Sequence, residues 1–109
     1  MDDNKIEEMS WPIFENILQA HELKDYKLLT RDFCEDSSEL LPTEDEFNEI
    51  TEEINDSLGN MISATYLGCV YKDEVNLVLW KAGFANSEGE LLWHIYLGYD
   101  MKVQAIWVG

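Results

Sequence analysis

Two histidines are the side chains of this sequence whose ordinary pKa lies nearest neutrality, and proton chemistry would fall to them first. His94 sits inside an apolar run, LLWHIYLGY, at residues 91–99. His21 follows Ile13, Phe14, Ile17 and Leu18 at helical spacing on one face. A general acid or base needs an enclosed position that shifts its pKa. His21 is the better placed, on a helix face that should meet a core; a satisfied core or rim histidine has the same signature. His94 is expected opposite Lys81, and a lysine there argues for a wet or interfacial position and a structural role.

Other groups are weaker candidates. Asp25 opens a second helix, where a carboxylate caps free N–H groups and sets an inter-helix angle. Tyr26, Tyr66, Trp80 and Trp93, with His21, are candidate pocket-lining residues, because aromatics with a polar tip suit an apolar ligand needing one anchor. The same spacing also makes plain core. Asn76 falls near a strand end, at the rim. Glu49, Glu52, Glu53 and Asp56 put four carboxylates on one helix. The calcium-loop spacing, HExxH, GxSxG and glycine-rich phosphate loops are all missing. Cys34 and Cys69 match no metal or redox spacing and read as reduced thiols of a cytoplasmic protein. The sequence therefore predicts no catalytic set, no metal and no cofactor.

The elements that must position these groups divide the chain in two. In the first half, Ser10 is expected to cap a helix with Pro12 in its first turn. A short second helix starts near Lys24, with Tyr26, Leu29 and Phe33 on its apolar side. The stretch CEDSSELLP is a break. Thr43 and Glu46 form a capping box for a third helix, whose apolar face is Phe47, Ile50, Ile54 and Leu58 and whose end is Gly59. After Met61 the period changes from 3.6 to 2. Residues 62–71, 76–85, 90–99 and 103–108 read as four strands joined by short turns, hence an antiparallel meander. With 109 residues the chain is one domain, 1–109, in which residues 1–9 read as a flexible lead-in.

Charge follows the same division. The net charge is −16. Residues 1–60 hold 18 acids and 4 bases, and residues 61–109 hold 5 acids and 3 bases. Such a surface repels phosphate, which argues against nucleic acid and anionic membrane as partners. No apolar run reaches the ~18 residues of a membrane span, and MDDNKIEEM has no signal-peptide core. The acidic run from Asp32 to Asp56 would suit a basic protein, or act as a decoy for a nucleic-acid-binding protein; a solvated surface is the plainer reading.

Pairing Ala85 with Glu90, and Tyr71 with Val75, assigns faces. Ile62, Ala64, Tyr66, Val70, Val78, Trp80, Ala82, Phe84, Leu91, Trp93, Ile95 and Leu97 face the helices. Leu67, Cys69, Tyr71, Leu77, Leu79, Lys81, Leu92, His94 and Tyr96 take the other face, which is too apolar to stay wet. The expectation is a homodimer through Leu67, Tyr71, Leu79, Lys81, His94 and Tyr96, or burial by a partner protein. Gly68, Gly83 and Gly98 fall inside strands and predict strong sheet curvature. The turn at Asp100-Met101 leaves the face of Trp107 open.

Helices followed by a curved meander make an α+β arrangement, about three helices on the concave face of a four-stranded antiparallel sheet. The run ENILQAHELKDYKLLTRDF, with Asp25-Tyr26 opening the second helix, resembles the nuclear transport factor 2-like superfamily, also called cystatin-like or ketosteroid isomerase-like. The closing GYDMKVQAIWVG is similar to that superfamily's last hairpin, where glycine is usual at the place of Met101. The resemblance implies a cone with an interior pocket; members include isomerases, lyases, carriers, binders and dimerising adaptors, so it selects no single activity. The leading expectation is a small cytoplasmic binding or interaction module, homodimeric through the sheet. The alternative is a small-molecule isomerase, lyase or carrier of the ketosteroid isomerase type. An apolar cavity reached by His21 would favour the alternative, and a cone filled by Trp80, Trp93 and Phe84 would count against it.

Overall fold

The computed structural model describes residues 3–34, 41–72 and 74–108. Three helices precede four strands: α1 (Asp3–Leu23), α2 (Tyr26–Leu29), α3 (Glu44–Glu53), β1 (Met61–Lys72), β2 (Val75–Phe84), β3 (Glu90–Leu97) and β4 (Val103–Val108). The strands form one antiparallel meander in the order β1-β2-β3-β4. This is the α+β class that the change of period from 3.6 to 2 predicts. The break expected across CEDSSELLP falls largely outside the described residues.

α1 starts earlier than its expected cap. Ile6, Ser10, Ile13, Phe14, Ile17, Ala20 and His21 are all buried, a single stripe at helical spacing. Burying Ile6 makes residues 3–9 part of the helix, and Ser10 becomes an interior residue rather than an N-cap. Pro12 then sits in mid-helix on the exposed side, where it removes one helical hydrogen bond. The helix ends where Lys24 turns left-handed at φ 57° and its N–H bonds the His21 carbonyl.

α2 is held by Asp25, whose carboxylate accepts from Leu28 N at 3.1 Å. Asn16 Nδ2 donates to the Leu28 carbonyl at 2.9 Å and ties α1 to α2. The capping box of α3 is complete: Glu46 N donates to Thr43 Oγ1, and Thr43 N donates to Glu46 Oε1. α3 runs on into a π-helical turn, Ile54–Leu58, which Gly59 ends at φ 79°.

Two register corrections decide which side chains share a face. Trp80 pairs with Trp93, not with Ile95, and β2–β3 pairing starts only at Gly83↔Glu90. The cause is Ala85 and Asn86, whose N–H groups bond Asn60 O and Leu58 O and so are taken away from β3. The shift is by two residues, so the faces survive it. In β1 a bulge between Tyr66 and Gly68, with Gly68 at φ 154°, reverses the faces beyond it. Cys69 therefore turns inward opposite Val78, and Val70 turns outward opposite Leu77 with 50% of its surface exposed. Tyr71 leaves the outer set for the inner parity opposite Asn76. A second bulge between Met61 and Ser63 leaves Ile62 exposed as well.

The core lies between the helices and the inner sheet face. Val78, Trp80, Ala82, Phe84, Trp93, Ile95, Leu97 and Val103 meet Phe14, Ile17, Leu29 and Phe47. Trp107 pairs with His94 on the outer face and is 70% exposed. Met101 adopts the left-handed φ of 61° that glycine favours. Phe33 adds a parallel bridge to Val103, with Cys34 N bonded to the Val103 carbonyl at 2.9 Å.

Candidate functional site

The last turn of α1 brings His21 against α3. Its Nδ1 lies 2.8 Å from Thr51 Oγ1, its ring stacks on Phe47 at 4.7 Å, and Trp93 stands 5.4 Å away. Asn55 Nδ2 also donates to the His21 carbonyl at 3.3 Å. Burial pushes the imidazole down from 6.5 to about 4, so it is neutral at physiological pH. A neutral ring with that pKa is a weak general base.

The inner face is a chain of aromatic contacts. Trp11, Phe14, Tyr66 and Trp80 pack at one end, with Phe14 stacked 5.1 Å from Trp80 and Tyr66 edge-on to it at 5.4 Å. Phe14 also touches Trp93 edge-on at 5.8 Å and links this group to His21, Phe47 and Tyr26. Trp80 and Phe14 thus fill this end of the inner face.

Among the described residues, two clefts border this core. The larger has a volume of about 930 Å³. His21, Leu29, Phe47, Ile50, Trp93, Ile106 and Val108 line its inner part, under α2 and α3. Its outer part is lined by Val70, Leu77, Tyr96, Ala105 and Trp107. Those two sets belong to opposite faces of the sheet, so the cleft passes around the β4 edge rather than down the axis of the fold. The smaller cleft, about 250 Å³, lies between α1 and the π-helical turn and is lined by Trp11, Glu15, Glu22, Asn55, Met61 and Phe84 among others. His21 and Trp93 border both.

Of the five residues expected to line a pocket, His21 and Trp93 do so. Tyr66 and Trp80 are packed into the aromatic core away from either cleft. Tyr26 is likewise outside both, and its hydroxyl donates to the Pro42 carbonyl at 2.8 Å. Phe47, Ile50, Ile106 and Val108 were missed as lining. Their apolar spacing reads as core, and nothing in the sequence tells a core wall from a cleft wall.

The residues expected at a dimer face separate too. Leu79, Lys81, His94 and Tyr96 lie on the outer face, with Lys81 paired to Glu90 at 3.1 Å. Leu67 projects from the bulge and is exposed. Tyr71 instead meets Tyr99 hydroxyl to hydroxyl. The outer face carries one unbroken row across all four strands: Val70, Leu77, Tyr96 and Ala105. His94 and Trp107 stand in the next row beside Leu79.

Among the described residues no three His, Cys, Asp or Glu side chains converge as metal ligands, and Cys34 and Cys69 form no disulfide. No helix there is long and apolar enough to cross a membrane. No family model matches the chain, and a search of curated proteins finds no match.

Proposed function

We propose that this chain is a binding and interaction module of the nuclear transport factor 2-like kind, homodimeric through the outer face of its sheet and acting in the cytoplasm. The observation that carries this reading is the row Val70-Leu77-Tyr96-Ala105, flanked by exposed Trp107 and Leu67. An apolar band spanning four strands marks an interface. The acids are concentrated on the helical half, so two sheets can meet without bringing most of the −16 charge together. His21 adds nothing that requires catalysis, since it is neutral and bonded to Thr51.

Sedimentation velocity tests the dimer. The chain should sediment as a dimer at tens of micromolar, and Leu77→Glu should sediment as a folded monomer. A clean wild-type monomer at that concentration would sink the proposal.

A second reading is favoured by the larger cleft. Its inner part is apolar and reaches a titratable side chain, which suits a carrier of a small apolar molecule. Packing of Trp80 against Phe14 and Trp11 closes that end of the core to such a ligand. The isomerase or lyase form of this reading has the weaker support, because it needs a stronger acid or base than His21 supplies.

A further inference from the structure

The sheet has two outer edges, and only one is blunted. β1 carries a bulge between Met61 and Ser63 and another between Tyr66 and Gly68, which break the straight row of N–H and C=O groups along its free side. β4 is built differently. Its sequence, Val-Gln-Ala-Ile-Trp-Val, has no charge and no proline. Past an irregularity at Gln104, its pairing with β3 is regular from Ala105↔Tyr96 to Val108↔Trp93. Among the described residues its outer edge is used at one point, where Phe33 bridges Val103 in parallel and Cys34 N donates to the Val103 carbonyl at 2.9 Å. That bond shows the edge accepting a strand. From Gln104 to Val108 its alternate backbone groups have no described strand beside them.

The larger cleft runs along this free stretch. Gln104, Ala105, Ile106, Trp107 and Val108 all line it. Successive side chains of a strand point to opposite faces, so a cleft that touches five in a row lies against the strand's edge. Leu41, Phe47 and Ile50 line it from the helical side. Ile106 and Val108 have the inner parity but are only partly buried, whereas their β3 partners Ile95 and Trp93 are 0% exposed. The inner side chains of β4 are covered by β3 on one side and by no described strand on the other.

Charge narrows what fits there. α3 carries six acids, Glu44, Asp45, Glu46, Glu49, Glu52 and Glu53, and no base. Glu46 lines the cleft, and no described lysine or arginine does. A second copy pairing β4 antiparallel to β4 would bring two such helices to the same side of one sheet, like charge against like. A basic segment is attracted instead.

We propose that the β4 edge takes up an extended segment of a partner protein as a fifth strand, with alternate apolar residues facing α3 and basic residues between them. Backbone groups of residues 104–108 supply the ladder, and the cleft takes the apolar side chains. The site is separate from the dimer face proposed above and does not depend on it, since it uses the edge and inner side of the sheet.

The probe is the peptide acetyl-Lys-Val-Lys-Ile-Lys-Val-Lys-amide, with two backbone N-methylated forms. One is methylated at the apolar residues and the other at the lysines between them, so only one form loses the N–H groups that point at β4. Binding is followed by proton–nitrogen correlation spectra and amide exchange. The parent peptide should bind, shift the amides of residues 104–108 and slow exchange at those on the free edge. One methylated form should lose about tenfold or more in affinity, as two or three lost ladder bonds provide, while the other stays within a few fold of the parent. The peptide with glutamate in place of lysine should bind about tenfold or more weakly than the parent. Equal affinity of the two methylated forms overturns strand addition and leaves adsorption by charge alone. Equal affinity of the lysine and glutamate peptides overturns the basic partner. Edge amides already protected in the protein alone, with shifts that grow with its concentration, assign the edge to a second copy and overturn the partner protein. Absence of binding at millimolar peptide overturns the site, and sedimentation reads the outer-face dimer independently of all these outcomes.

Discussion

At the Trp80 end of the inner sheet face every demand is met within the chain. Phe14 stacks on the indole, Tyr66 and Trp11 close it in, and Ser10 accepts its N–H. At the Trp93 end, 0% of the residue is exposed, yet the N–H finds no acceptor among the described residues, and the residue borders both clefts. Both residues come from the same pairing, Trp80↔Trp93. What differs is the element above them. α1 presents the small polar Ser10 over Trp80, whereas α1 and α3 present a neutral histidine and Phe47 beside Trp93. One end of this face is finished as core, and the other is left with unspent hydrogen-bonding capacity. That contrast separates a satisfied buried aromatic from an unsatisfied one better than residue type does.

The largest effect expected from the contrast lies at the Trp93 end. The His21 pKa is lowered in the folded state, from 6.5 to about 4. The unfolded chain therefore takes up the proton first as pH falls. The contribution to stability is complete above about pH 6.5 and is lost between there and about pH 4, to a total of about 3 kcal/mol. Urea unfolding of wild type against His21→Gln across that window should show the wild type losing stability more steeply. Parallel curves would mean that His21 is not buried as described.

Next comes Ser10→Ala, which would strand the Trp80 N–H and should cost about 1–3 kcal/mol. A loss well under that would show that Ser10 is not what completes the Trp80 end. A smaller and more discriminating effect compares Trp80→Phe with Trp93→Phe. Both remove the same volume, but only the first breaks a hydrogen bond while the second removes an unmet donor. Trp80→Phe should be the costlier by about 1–2 kcal/mol in denaturant unfolding. Equal costs would erase the distinction between the two ends.

Much of the fold can be read from the sequence. The capping box at Thr43 and Glu46, the cap at Asp25, the stop at Gly59 and the change of period after Met61 are local signals, settled within a few residues. The inward set Val78, Trp80, Ala82, Phe84, Trp93, Ile95 and Leu97 follows from alternation alone. Val70, Cys69 and Tyr71 could not be placed the same way. The bulge at Leu67 and Gly68 adds one residue, and one residue exchanges the faces. The candidate site was half legible: His21 and Trp93 stand out by type, but Phe47, Ile50, Ile106 and Val108 look like any other core residues.

The sequence by itself determined which residues alternate and which recur at helical spacing, and with that the helices, the meander and most of the inward face, because these depend on the backbone period of each element. Only the tertiary structure decided that Trp80 meets Ser10 and that Trp93 meets no acceptor among the described residues. Those outcomes depend on where α1 and α3 cross the sheet, a matter of long-range packing between residues up to 70 positions apart. A hydrogen bond is satisfied by the atom that arrives, and no local pattern records which atom that will be.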